Sequence, residues 1–285
     1  MITLLWIAGL TVGGVVGLAL VLMALPRLGR VGRALSDALC RAPMLDVVVA
    51  LLTIGPWGPA AWWGGWAGLG VAVAGQVVGL GVWVVMHEWL YRKHVAGPRI
   101  VTVINRAVGR WRNHAALWVT AVVLPVFWLI RAAELFLYPF LVWLLGFPRY
   151  KQGEWVNCSR HKFEGLVGHD LIWCLYCDWM TGVYSLGAEM LRNVESFWCP
   201  IRFYDGKKCE NCRVDFPDID GGWVRADGTM AEVEAKMKAM YGDGPGGRRE
   251  WFGHPARRAA EANAAVTIEG QAPARAERPA DPPPA

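Results

Sequence analysis

The chain has 285 residues, 54% of them hydrophobic, with 17 Trp and a formal net charge of +5. That apolar content is too high for an ordinary soluble domain of this length, and it is concentrated in residues 1–147. The modest basic excess lies in loops between apolar runs and no nucleic-acid-binding motif is present, so membrane orientation, rather than nucleic-acid recognition, accounts for the charge.

The expected fold class is all-α. It consists of a multi-span helical membrane anchor over 1–147, a small, mainly helical cysteine-rich domain over 148–242, and a C-terminal tail over 243–285. Residues 3–25 carry no charge and are long enough to cross a bilayer core of about 20 residues. No basic segment precedes them and no small-residue cleavage site follows, so the run reads as an uncleaved anchor. Residues 44–86 form a second apolar block whose single charge is Asp46. Gly55–Gly65, with two prolines and four glycines, divides it into spans of about 44–60 and 65–87. Trp57, Trp62, Trp63 and Trp66 fit an interfacial aromatic belt.

The intervening loops set the orientation. Residues 26–43 carry Arg27, Arg30, Arg33 and Arg41, and residues 89–114 carry Arg92, Lys93, Arg99, Arg106, Arg110 and Arg112. The positive-inside rule places both loops in the cytoplasm and the N-terminus outside. Residues 99–113 alternate arginine with apolar residues, the pattern of an amphipathic helix on the membrane surface. Residues 115–147 read either as one span or as a re-entrant hairpin divided at Arg131–Glu134. The basic residues Arg149, Lys151, Arg160 and Lys162 favour the hairpin and a cytoplasmic cysteine-rich domain. Arg131 and Glu134 share a helical face. They mark either a functional ion pair at membrane depth or the end of a span.

Six of the seven cysteines fall between Cys158 and Cys212. They form Cys158-x-x-His161, Cys174-x-x-Cys177, Cys199-Pro and Cys209-x-x-Cys212, spacings that let short turns hold a metal ion. Cys174, Cys177, Cys209 and Cys212 are the expected ligands, with Cys199, Cys158 and His161 as further candidates and His169 behind them. The cofactor is zinc or an iron–sulfur cluster, since both use these donors. Residues 163–197 read as a helix with an apolar stripe and an opposite polar stripe that includes Cys174, Cys177 and Asp178. Cys40 stands alone in the first basic loop and is expected only to pack.

Asp215, Asp218 and Asp220 lack the remainder of a calcium loop. Thr229 opens a capping box with Glu232, starting a helix of about 12 residues whose Met230, Val233, Met237 and Met240 make one apolar stripe. Beyond Gly242 the Gly-, Pro- and Ala-rich chain is expected to be disordered.

No phosphate loop, nucleophile elbow or zinc-protease motif occurs. The expectation is therefore a multi-pass inner-membrane protein in contact with the bilayer and other membrane subunits, an electron-transfer, assembly or interaction component more than an enzyme. One alternative is a membrane enzyme acting on a lipid or hydrophobic substrate, with a pocket lined by Trp155, Trp173, Trp179 and Trp198. Another is a periplasmic interaction domain stapled by disulfides.

Overall fold

With no charged side chain between Ile2 and Ala24, the first apolar run forms an uninterrupted helix, α1 (Ile2–Ala24). The computed structural model describes residues 1–163, 165–202 and 223–241. Among these, helices account for all regular structure apart from isolated bridges. Cys209, Cys212, the Asp215–Asp220 group and the 243–285 tail lie outside the described residues.

After α1 come α2 (Gly29–Leu39), α3 (Met44–Leu52), α4 (Trp57–Leu90), the single turn α5 (Arg92–Val95), α6 (Ile100–Val108), α7 (Arg110–Ala121) and α8 (Leu124–Ala132). A π-helical segment (Ala133–Leu137) leads to α9 (Tyr138–Leu145), then to the single turn α10 (Gln152–Trp155), the long α11 (Gly168–Trp198) and α12 (Met230–Tyr241). Three stretches are long and apolar enough to cross a membrane: Ile2–Arg27, Met44–Leu90 and Arg110–Leu145. The chain divides into two units. Met1–Leu135 with Tyr150–Gly187 form the first, and Phe136–Arg149 with Ala188–Ala285 form the second. By this division Gly168–Gly187 of α11 belongs with the apolar helices.

In unit 1, α1 packs against α4 through a row of small residues. Ile7, Thr11, Val15 and Ala19 are buried on α1, and Gly68, Ala72, Gly75 and Gly79 on α4. A Cβ placed on Gly79 would stand 2.8 Å from Val15 Cβ, and one on Gly75 would stand 3.1 Å from Thr11 Cβ. At Gly79 a side chain would force the helices apart, and at Gly75 Thr11 would have to give by a few tenths of an ångström. Such close backbone contact is how helices associate where lipid is as apolar as the side chains and burial gives no net gain.

The block from Met44 to Leu90 doubles back at Gly65, whose φ of 58° and ψ of −151° break the helix. Ahead of that turn, Trp57 bonds to Gln76 and Ala60 lies on Gly68, so residues 57–64 run back along 66–76. The expected division into two segments holds in this form, but the first segment is itself broken between Leu52 and Trp57. Backbone groups freed at membrane depth must find partners inside the protein. Gln76 supplies them, donating to the Leu52 carbonyl at 2.9 Å and to the Thr53 carbonyl while accepting from Trp57 Nε1 at 2.8 Å. Thr53 Oγ1 donates to Val49 O at 2.5 Å and accepts from Trp128 Nε1 at 3.1 Å.

The residues expected at a hairpin tip, Arg131–Glu134, are instead helical, passing from α8 into the π-helical segment. Alongside α7 and α8, and parallel to them, lies the first part of α11. His114 meets His169, Trp118 meets Trp173, Trp128 meets Trp179, and Ile130 and Glu134 meet Gly187.

In unit 2, Phe147 is buried among Tyr138, Phe197 and Trp198. A bridge joins Ile201 to Val224, and the capping box forms as expected, with Thr229 N–H donating to Glu232 Oε2 at 2.6 Å. Of the α12 stripe, Val233 and Met240 are buried, and Tyr241 hydroxyl donates to the Phe197 carbonyl.

Candidate thiol-imidazole centre

The turn Cys158–His161 is fixed by a single carboxylate. Asp178 on α11 accepts from the backbone N–H groups of Ser159 and Arg160, both at 3.0 Å, and pairs with Arg160 Nε at 2.9 Å. A charged acceptor for two adjacent amides holds a short turn more firmly than a neutral one would. The polar stripe read on α11 thus serves, at Asp178, to position the Cys-x-x-His turn.

On the other side of that turn is Cys40, just past the end of α2. Arg41 and Asn157 form an antiparallel bridge, with Cys158 N–H donating to Cys40 O at 2.8 Å and Ala42 N–H to Val156 O at 2.9 Å. Cys40 and Cys158 therefore oppose each other across the bridge, a relation that puts side chains on one face with Cβ atoms about 5 Å apart. Cys40 Sγ lies 3.7 Å from His161 Nε2 and 3.9 Å from Nδ1. In a tetrahedral zinc site, with Zn–S about 2.3 Å and Zn–N about 2.0–2.1 Å, neighbouring S and N ligands stand about 3.6 Å apart. The Cys40–His161 separation matches that edge. Cys158 Sγ at present points to the Leu175 carbonyl, 3.6 Å away. Among the described residues, no three His, Cys, Asp or Glu side chains already stand in ligating geometry.

The electrostatics follow from burial. Burial pushes the Cys158 thiol up to about 12, helped by Asp178 and Cys40. Burial also raises Cys40, with Asp37 adding to the effect, and lowers His161, with Lys162 adding to it. The resting state is thus two neutral thiols beside a neutral imidazole, whose nitrogen lone pair is free to bind a metal.

The other expected ligands are placed differently. Cys174 and Cys177 share one half-buried face of α11, as read from the sequence, but the Arg160 guanidinium, held by Asp178, acts electrostatically on both thiols. A cation between two sulfurs is a poor start for a metal site. Cys199 is an exposed free thiol in unit 2. All five described cysteines are free. Trp179 is fully buried and donates to Asp46 Oδ1 at 3.2 Å, so it lines no open pocket.

Two further polar centres lie in unit 1. Arg131, completely buried, makes a side-on pair with Asp46 through Nε at 3.1 Å and Nη2 at 2.6 Å. It also reaches Glu134 at 2.6 Å and Gln152 at 2.8 Å. Of the two readings of Arg131 and Glu134, a span end among headgroups does not fit this burial. Arg99 links Glu88, at 2.6 Å, to Asp170, at 3.5 Å. Asp170 in turn accepts from the first two amides of α6, Ile100 and Val101, both at 3.1 Å. Glu88 accepts from His169 N–H and His87 Nδ1 from Gly168 N–H, both at 3.2 Å. Burial acts to raise the Asp170 carboxyl, but His169, Arg99 and the Val101 amide outweigh it and hold it below the usual carboxylate range. These carboxylates cap helix starts, which is a structural use.

No known family matches this chain. Neither a curated protein nor a solved structure resembles it closely enough to add a relative.

Proposed function

We propose that this is an integral membrane protein in which Cys40, Cys158 and His161 bind one metal ion, with zinc as the first choice, and that the site serves assembly or interaction within a membrane complex. The observation that carries this reading is the convergence of Cys40 on the Cys158–His161 turn, with the Cys40–His161 pair at the edge length of a tetrahedral site. A mixed cysteine–histidine donor set is ordinary for a single zinc ion, whereas iron–sulfur clusters are held mostly by cysteine thiolates alone. The reading requires Cys158 to turn about its Cα–Cβ bond away from the Leu175 carbonyl, on a backbone already tied to that of Cys40. Three protein donors leave a fourth position for water or a partner group. The basic residues flanking the apolar stretches support a cytoplasmic placement of the centre.

Purified full-length wild type should carry about one zinc ion per chain by elemental analysis. Cys40→Ser and His161→Ala should lose most of it, and Cys199→Ser should retain it. A wild type free of zinc and iron, or equal loss in Cys199→Ser and Cys40→Ser, would overturn the reading. Iron with acid-labile sulfide would replace the single ion by a cluster.

A further inference from the structure

Two short amphipathic helices border the apolar stretches. On α2 and the residue before it, Leu28, Val31 and Leu35 share a face and are exposed at 67, 81 and 46%. Arg30 and Arg33 lie on the opposite side, and Asp37, further along that side, pairs with Lys162 at 2.9 Å. On α6, Ile100, Val103 and Ile104 share a face exposed at 50, 61 and 39%. The surrounding segment 89–114 contains no Asp or Glu.

An apolar face beside a basic face, on a helix too short to cross a bilayer, suits the boundary between headgroups and acyl chains. Both helices follow directly on an apolar stretch: α2 begins two residues after Arg27, and α6 lies ten residues past Leu90. We infer that α2 and α6 form a binding surface for anionic phospholipid headgroups. Their apolar faces seat in the outer acyl region, while Arg30 and Arg33 of α2, Arg106 of α6 and Arg110 at the start of α7 meet the lipid phosphates and their net negative charge. Charge complementarity selects the occupant: a zwitterionic headgroup offers the same phosphate without the net charge.

This inference rests on the membrane reading, which is tested separately by retention of the protein in membranes after alkaline washing. The surface itself is tested by titrating the purified full-length protein in detergent with phosphatidylglycerol or phosphatidylcholine and counting bound lipid by native mass spectrometry. Wild type should bind phosphatidylglycerol the more tightly. Each Arg→Gln change at 30, 33, 106 or 110 should weaken that binding about fivefold, and Arg→Lys should leave it nearly intact. Equal binding of the two lipids, Gln variants indistinguishable from wild type, or glycerol phosphate alone competing at the affinity of the lipid would overturn the proposal.

Discussion

Two helix seams in unit 1 are built on opposite principles. Between α1 and α4 there is almost nothing but hydrocarbon and glycine, and the backbones approach until a single methyl would collide. Where α3, α8 and α11 meet, the contacts are directed and polar: Arg131 of α8 with Asp46 of α3, Glu134 and Gln152, Trp179 of α11 with Asp46, and ring contacts of α11 along α7 and α8. The difference follows from composition. A helix with no charge has only shape with which to choose a partner in lipid. One carrying Asp170 and Asp178 has to satisfy each polar group, and those groups fix its register.

Arg131→Met should break the polar seam most severely. It leaves Asp46 and Glu134 buried without a counter-charge, at a cost of about 3–5 kcal/mol. Unfolding in mixed micelles, followed by tryptophan emission, would measure this, and a loss below about 1 kcal/mol would show that water reaches the centre. Removing all three charges together, as Asp46→Asn, Arg131→Met and Glu134→Gln, should cost less than Arg131→Met alone.

On the dry seam, Gly79→Leu should destabilise by about 1–3 kcal/mol through overlap with Val15. Gly81, where an added Cβ meets nothing within 4 Å, should accept leucine without loss. Gln76→Leu lies between the two cases and should cost about 1–3 kcal/mol, because it strips partners from two carbonyls and an indole N–H. The smallest effect is expected at Thr229→Ala, about 1 kcal/mol from the lost cap on α12.

The pH dependence of the thiol-imidazole centre has a definite sign. His161 has its folded value below the usual 6.5, so its contribution to stability is complete above that pH and is lost as pH falls through the lower folded value. Cys158 is raised from 9.0 to about 12, so its contribution is complete below pH 9 and is lost as pH rises towards 12. Metal binding must displace the thiol protons, so zinc affinity should fall as the medium is acidified. Competition with a chromophoric chelator between pH 6 and 8 would check it.

Features set by neighbours in sequence were legible before the structure. The first apolar run, the break at Gly65, the long helix near 163–197 and the Thr229–Glu232 cap all depend on composition or spacing within a few turns. The partnerships that make the site do not. Cys40 and His161 are 121 residues apart, and Asp46 and Arg131 are 85 apart. Nothing local marks Cys40, which is why it read as an isolated packing residue. Asp46 carried a faint signal as the single charge in an apolar block, as did Arg131 and Glu134 in theirs. The strongest pattern, Cys174-x-x-Cys177, does lie on one face of α11, but spacing alone does not show that Arg160 acts on both thiols. Cys209 and Cys212 remain candidates from spacing alone.

The central claim is that Cys40 and His161 meet at one metal ion. X-ray absorption at the zinc edge of purified full-length protein tests it most directly. A first shell mixing sulfur at about 2.3 Å with nitrogen at about 2.0 Å, losing one sulfur in Cys40→Ser and the imidazole signature in His161→Ala, is the expected result. A shell of four sulfurs unchanged in both variants would contradict it and return the site to the paired cysteines.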